Sequence, residues 1–355
     1  MTNDKLEGAH GADLEVRRGG NLDRREFVKG MAALAGSAGL FGYDTKSACA
    51  EPPPETTRIR LPHAPAICLS PLYLAEELLR LEGFSDINYV RDDKQPEPHR
   101  FVATGQADIA MDAATTLVPA IDGGRPIVVL AGVHGGCFEL FGSERVRTIR
   151  DLRGSRVAVS GFGVADHIYI ASMMAYVGMD PRKDAKWVET GTFDGPMELF
   201  IDGKVDSFLG FPPQPQKVRA KKVGHVIVNT TQDKPWSQHF CCMVVGNREF
   251  VSKHPVATKR AVRAILKAAD ICAREPERAA RYMVTKGYEE NLGIAMEVVK
   301  EVSYNAWRTF DPEDTLRFHA LRLHEVGMIK SSPQKLIAQG TDWRFLNELR
   351  KELKA

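Results

Sequence analysis

The residues able to do chemistry are spread along the chain rather than gathered into a catalytic pattern. No HExxH, GxSxG or Gly-x-x-x-x-Gly-Lys-Ser/Thr run occurs, so the spacing offers no zinc-protease helix, nucleophile elbow or phosphate loop. Scattered His, Asp and Ser residues do not make a triad, and no catalytic residue, metal ligand or cofactor is assigned. What the spacing does offer is three loops that each leave a strand pattern and open a helix. A helix start carries unpaired N–H groups and partial positive charge, so it holds a ligand without breaking bonds.

The first loop, 62–70, contains His63 and ends at Ser70-Pro71. Ser70 either faces a ligand or simply caps its helix, with Pro at the first helical position. The second is Asp112-Ala113-Ala114-Thr115-Thr116. Thr115 reads as a ligand contact or an N-cap, and Asp112 as a partner for a cationic group. The third runs from Ser160 through Gly161, Phe162, Gly163, Val164, Ala165 and Asp166 to His167. Its glycines let the backbone approach a guest closely. Contact is expected through Ser160, Gly161 and the N–H groups of Gly163 and Val164. Asp166 repels an anion there, and His167 is the residue able to offset it. A Gly-x-Gly lacks the third glycine of a dinucleotide fingerprint. Two further stretches are His134-Gly135-Gly136-Cys137-Phe138, a cleft lining or a hinge, and Gly210-Phe211-Pro212-Pro213, where Phe211 stacks on a guest or fills the core. None of the three loops contains Arg or Lys, so a fully charged anion would rely on N–H groups or on a cation elsewhere, such as Arg125.

These loops must be held by the elements around them. Strand patterns at 58–61, 87–90, 107–111 and 126–132 alternate with helix patterns at 72–81, 99–104 and 115–121. The 126–132 run is continuous in apolar residues, as suits a strand covered on both faces. The rhythm restarts with strands at 156–160, 186–189 and 205–210 and helices at 165–177 and 195–201. Strands at 226–228 and 240–245 complete the second sheet, with a return crossing from Val245 onward. Helical patterns at 255–273, 276–285, 292–302, 315–326 and 341–354 finish the chain. The economical arrangement is two α/β lobes, the first completed by the C-terminal helices.

Bulk properties agree. A chain of 355 residues exceeds one usual core. Forty-eight basic against 46 acidic side chains give a formal charge of +2, without the basic face that nucleic acid requires. Six cysteines include no CxxC, and their spacing shows no disulfide framework. Cys241-Cys242, inside an apolar run, reads as a pair of small core residues rather than a redox couple.

The first fifty residues read as an address. Arg24-Arg25-Glu26-Phe27-Val28-Lys29 precedes a short apolar run, then Ala48-Cys49-Ala50. This is the order of a secretory signal, and the run is too short to span a bilayer. The arginine segment resembles the twin-arginine export signal, with Asp23 in place of the usual Ser or Thr. Cleavage is expected near Ala50, export to the periplasm through the twin-arginine translocase. Lipidation of Cys49 is the competing reading, weakened by Lys46 where such a signal wants Leu.

Gly105-Gln106-Ala107-Asp108-Ile109-Ala110 resembles the "G-x-A-D-I-A" strand of periplasmic solute-binding proteins for nitrate, sulfonate, taurine and thiamine-pyrimidine precursors. The stretch 148–159 resembles their "I-x-D-L-K-G-K-x-V-A-V" approach to a second lobe, and Gly203-Lys204-Val205-Asp206 their "G-x-V-D-A" strand. The resemblance implies a type II periplasmic binding protein fold, two lobes joined by two crossing strands. Lobe 1 would take 56–145 plus 246–355, and lobe 2 would take 146–245. It further implies capture of a small-molecule ligand for an inner-membrane ABC permease. Two alternatives share the fold: an enzyme similar to thiamine-pyrimidine synthase, and an exported ligand sensor or adaptor. The synthase carries a clustered Cys motif, whereas 134–138 holds one Cys.

Overall fold

The computed structural model describes residues 51–64, 66–91 and 97–354. The twin-arginine segment, the cleavage site and Cys49 lie outside the described residues. Pro52–Ala355 form one contact unit. Among the described residues, no helix is long and apolar enough to cross a membrane.

In chain order the strands are β1 (Arg58–Pro62), β2 (Asp86–Val90), β3 (Ile109–Ala113), β4 (Ile127–Gly135), β5 (Glu139–Gly142), β6 (Arg156–Val159), β7 (Lys186–Glu189), β8 (Ser207–Gly210), β9 (His225–Asn229) and β10 (Phe240–Asn247). The helices are α1 (Ser70–Leu81), α2 (Pro98–Ala103), α3 (Ala114–Asp122), α4 (Ala165–Tyr176), α5 (Gly195–Ile201), α6 (Gln214–Lys221) and α7 (Arg248–Lys253). They continue as α8 (Pro255–Arg274), α9 (Pro276–Thr285), α10 (Leu292–Glu301), α11 (Pro312–Glu325), α12 (Pro333–Gly340) and α13 (Arg344–Glu352).

Two sheet systems result. On one side β1 and β2 pair in parallel, and β10 lies between β3 and β4, antiparallel to both. Asp108 N donates to Arg60 O at 2.8 Å, tying β1 to the start of β3. On the other side the strand order is β7-β6-β8-β5-β9, with β6 parallel to β7 and β8, and β5 antiparallel to β8 and β9. The segment 240–245, expected to complete the second sheet, lies in the first. Every other residue of the segment can face a core in either sheet. Only the partners available on its two edges decide, and those are β3 and β4.

Every residue of β4 is buried, in keeping with its unbroken apolar run. The amphipathic α8 lays Ala257, Ala261, Val262, Ile265 and Leu266 inward and packs along α1. Each such aliphatic side chain larger than Ala contributes about 1.5–3 kcal/mol on full burial. Helix starts also depart from expectation. The 3-10 turn Ile67–Leu69 runs straight into α1, so Leu69 is the N-cap and Ser70 Oγ donates back to Ile67 O at 2.6 Å. At α3 the N-cap is Ala113, leaving Thr115 inside the helix, and Thr116 Oγ1 donates to Ala113 O at 2.7 Å.

The two sheet systems are joined by segments 136–138 and 230–239. Thr230 N donates to Phe138 O at 2.9 Å, Phe138 N to Thr230 Oγ1 at 2.9 Å, and Thr231 Oγ1 to Gly136 O at 2.9 Å. A β-carbon on Gly136 would fall inside the Thr230 carbonyl, so only glycine admits this approach. A charged latch adds a second tie. Arg219 on α6 donates to Glu297 Oε1 at 2.6 Å and Glu301 Oε1 at 2.7 Å on α10, and also bonds Glu139 of β5.

Candidate ligand-binding site

A cavity of about 540 Å³ opens between the carboxyl ends of both sets of strands. From the first set come the loop after β1 (His63, Ala64, Ala66, Cys68, Leu69), Arg91 after β2, Glu97 and Arg100 at α2, Asp112 and Ala113 at the end of β3, and Cys242 of β10. From the second come Ser160, Gly161, Phe162, Val164 and Asp166 after β6, Glu189, Thr192 and Phe193 around the end of β7, and Phe211 after β8; Phe138 sits at the crossing. This is where open α/β sheets bind ligands, because loops and helix starts converge there.

Of the residues singled out from the sequence, Asp112, Ser160, Gly161, Val164 and Phe211 line the cavity. Ser70, Thr115, His134, Gly163 and His167 are not part of its wall. Ser70 and Thr115 are fully buried within their helices. Gly163, at φ +76°, donates its N–H to His167 Nδ1 at 3.1 Å. The His167 ring packs edge-on between Phe162 and Trp187, 5.1 and 4.9 Å away. Burial lowers its pKa to about 4, so it is neutral and does not offset Asp166. His134 is fully buried beneath the floor, beside Cys68 and Cys242.

Electrostatics in the wall are set by how each carboxylate is already engaged. Asp112 Oδ2 accepts from His99 N at 2.8 Å and His99 Nδ1 at 2.6 Å, while Oδ1 accepts from Ala113 N at 2.7 Å. Burial disfavours the His99 cation, but Asp112 outweighs it and raises the imidazole pKa. The pair therefore neutralises itself, and Asp112 has little charge left for a guest. Asp166, 2% exposed, accepts from Ser160 N at 2.6 Å and His167 N at 2.8 Å. Burial nonetheless pushes its pKa up to about 6. Burial likewise raises Glu97, whose Oε2 pairs with Arg100 and whose Oε1 has no hydrogen-bond partner. Among the described residues Arg91 has no carboxylate partner. The rest of the wall is aromatic: Phe211 sits edge-on to Phe193 at 4.5 Å and to Phe138 at 5.5 Å, and Phe162 is 54% exposed at the rim.

A family model described as NMT1/THI5 like matches residues 73–279. The chain belongs to the NMT1/THI5-like family. Solved structures show how this NMT1/THI5-like chain is folded. It superposes with a TM-score of 0.72 on the periplasmic nitrate-binding protein NrtA from Synechocystis PCC 6803, at 15% identity, covering 85% of this chain and 90% of that one. The alkanesulfonate-binding protein SsuA from Xanthomonas axonopodis pv. citri, bound to MOPS, gives 0.65 at 15% identity over 81% and 99% of the two chains. A Candida albicans protein described as having the generic periplasmic binding protein fold gives 0.63 at 14% identity over 80% and 96%. No curated protein matches the sequence. The fold of this NMT1/THI5-like chain is thus that of the periplasmic binding proteins, and its cavity lies between the two sheet systems.

Arg91, Glu97, Arg100, Glu189, Thr192 and Phe193 were not singled out from the sequence. A usable signal existed: they lie near the carboxyl ends of β2 and β7, the same position that marks the loops after β1, β3 and β6.

Proposed function

We propose that this protein is the solute-binding component of an ABC importer, working in the periplasm and delivering a small organic guest to an inner-membrane permease. The observation that carries this is the cavity itself, walled from the strand ends of both sheet systems, with Phe211 and Ser160 on one side and Asp112 and Ala66 on the other. In this reading lobe 1 is 56–145 plus 246–355 and lobe 2 is 146–245, with β5 lending its strand to the second sheet and β10 its strand to the first. Guest binding draws the lobes together, and the closed form docks on the permease. The N-terminal signal directs export through the twin-arginine translocase. Binding rather than catalysis fits the wall, where Asp112 and Asp166 are held by the protein's own donors.

The guest is a ring-bearing molecule with N–H or O–H donors. Four phenylalanines offer faces and edges to a ring, and the unpaired Glu97 oxygen accepts from a donor. A bare inorganic anion would use neither. Ser160, Gly161 and Val164 would contact the guest directly, beside an Asp112 that His99 already satisfies. Thermal melting of the full chain against heteroaromatic amines, aromatic acids, sulfonates and nitrate tests this. A rise in melting temperature with a ring-bearing donor, lost in Phe211→Ala, is expected. Stabilisation by nitrate or simple sulfonates alone overturns the guest class, and no stabilisation by any class counts against the importer reading.

A further inference from the structure

Beneath the cavity floor lies a cluster that guest capture does not use. Cys68, Cys137, Cys241 and Cys242 come from the turn after β1, the crossing segment and β10, and all four are buried around His134. Donor atoms of Cys68, His134 and Cys137 lie within 4.8 Å of one another, and so do those of His134, Cys241 and Cys242. The fifth described cysteine, Cys272, sits apart in α8.

The histidine gives the cluster its direction. His134 is fully buried, and its Nδ1 lies 2.8 Å from Gly135 O. A carbonyl accepts only, so Nδ1 carries a proton and Nε2 is the nitrogen left to ligate a metal. Nε2 is buried and has no hydrogen-bond partner, and the ring lies among the four thiols. An imidazole whose far nitrogen is pinned to a carbonyl is the arrangement that orients a metal-ligating histidine.

We infer that this cluster binds one divalent thiophilic ion of zinc-like chemistry through His134 Nε2 and two cysteine thiolates. Two thiolates and a neutral imidazole balance a 2+ charge, which a buried site requires. Binding releases two thiol protons to solvent. Each triad supplies that donor set, and His134 is common to both, so one ion binds rather than two. Cys137 Sγ and Cys241 Sγ, one from each triad, are 2.9 Å apart. The thiol left out of coordination therefore hydrogen-bonds to a ligating sulfur. Cys68 and Cys242 also line the cavity, which places the ion's remaining coordination position toward the guest chamber.

The site stands independently of the importer reading, and so does its test. The full chain is reduced, loaded with Zn(II) and dialysed against metal-free buffer, and metal per chain is counted. Loading with Co(II) is followed by its thiolate charge-transfer absorbance. One ion per chain and a charge-transfer band are expected. His134→Gln, which removes the donor common to both triads, and Cys68→Ala/Cys241→Ala/Cys242→Ala, which leaves a single thiol, should each weaken binding at least ~10-fold, while Cys272→Ala retains it. Circular dichroism establishes that each variant is folded. No ion retained by the reduced, folded chain, or equal retention in the cluster variants, overturns the site.

Discussion

Asp108 closes on Arg60 through both backbone and side chain: its Oδ2 accepts from Arg60 N at 2.7 Å and Arg60 Nε at 3.2 Å, and its own N–H returns to Arg60 O at 2.8 Å. Asp206 repeats the arrangement in the second sheet system. Its Oδ2 accepts from Arg156 N at 2.9 Å and Nε at 3.2 Å, and Asp206 N donates to Arg156 O at 2.8 Å. The aspartates of the two Gly-x-x-Asp stretches therefore lock one strand to the start of another, β1 to β3 and β6 to its parallel neighbour β8. Asp108→Ala leaves the Arg60 backbone N–H unpaired and the part-buried guanidinium with Gly105 O, at 2.7 Å, as its remaining partner. A loss of about 1–2 kcal/mol in urea denaturation is expected. Asp206→Ala should cost less, because Arg156 is more exposed than Arg60.

Gly136 should be the least replaceable position in the crossing. An alanine there drives its β-carbon into the Thr230 carbonyl, which the hydrogen-bonded partner segment holds in place. At Gly135 the same atom would meet Phe310 at 3.4 Å, an ordinary contact. Gly136→Ala is expected to lower stability by about 3 kcal/mol or more, and Gly135→Ala by under ~1 kcal/mol. Parallel thermal melts of the two variants check the contrast.

The carboxyl of Asp166 titrates near pH 6 in the folded chain, above its ordinary value of 3.8. Between those two pH values the folded state binds more protons than the unfolded one, so stability falls as pH rises and levels off above about 6. The change amounts to about 3 kcal/mol. Asp166→Asn should lack this fall while carrying a pH-independent cost from one displaced backbone donor. Urea titrations at several pH values read both; equal slopes in the two proteins would refute the buried carboxyl's role.

His319 acts in the opposite sense. Burial, aided by His239, lowers its pKa to about 3, and its Nδ1 lies 3.3 Å from Ser172 Oγ. Below the unfolded value of 6.5 the unfolded chain takes up a proton that the folded chain refuses, so stability falls as pH drops. From pH 6.5 to about 4.5 this is about 3 kcal/mol. His319→Phe, with no proton to bind in either state, should lose correspondingly less over that interval, as read from melting temperature against pH.

The order of strands and helices was readable because it is written in local periodicity and punctuation. The helix patterns at 165–177, 195–201 and 276–285 fall within a residue of α4, α5 and α9. Short elements were missed: β5, α6, α7 and α12 are four to eight residues long, too brief for a pattern to repeat. The loops after β1, β3 and β6, which line the cavity, were legible as loops between a strand and a helix start, since that succession declares itself in the chain.

By itself the sequence determined an alternating α/β chain whose rhythm restarts once, with amide-rich turns where a guest can sit, because those features depend only on neighbours along the chain. Only the tertiary structure decided that β10 enters the first sheet, that His99 and not a guest satisfies Asp112, and that four cysteines surround His134. Those outcomes depend on residues distant in sequence, such as Cys137 and Cys241, 104 positions apart. No local pattern encodes a contact of that kind; packing creates it.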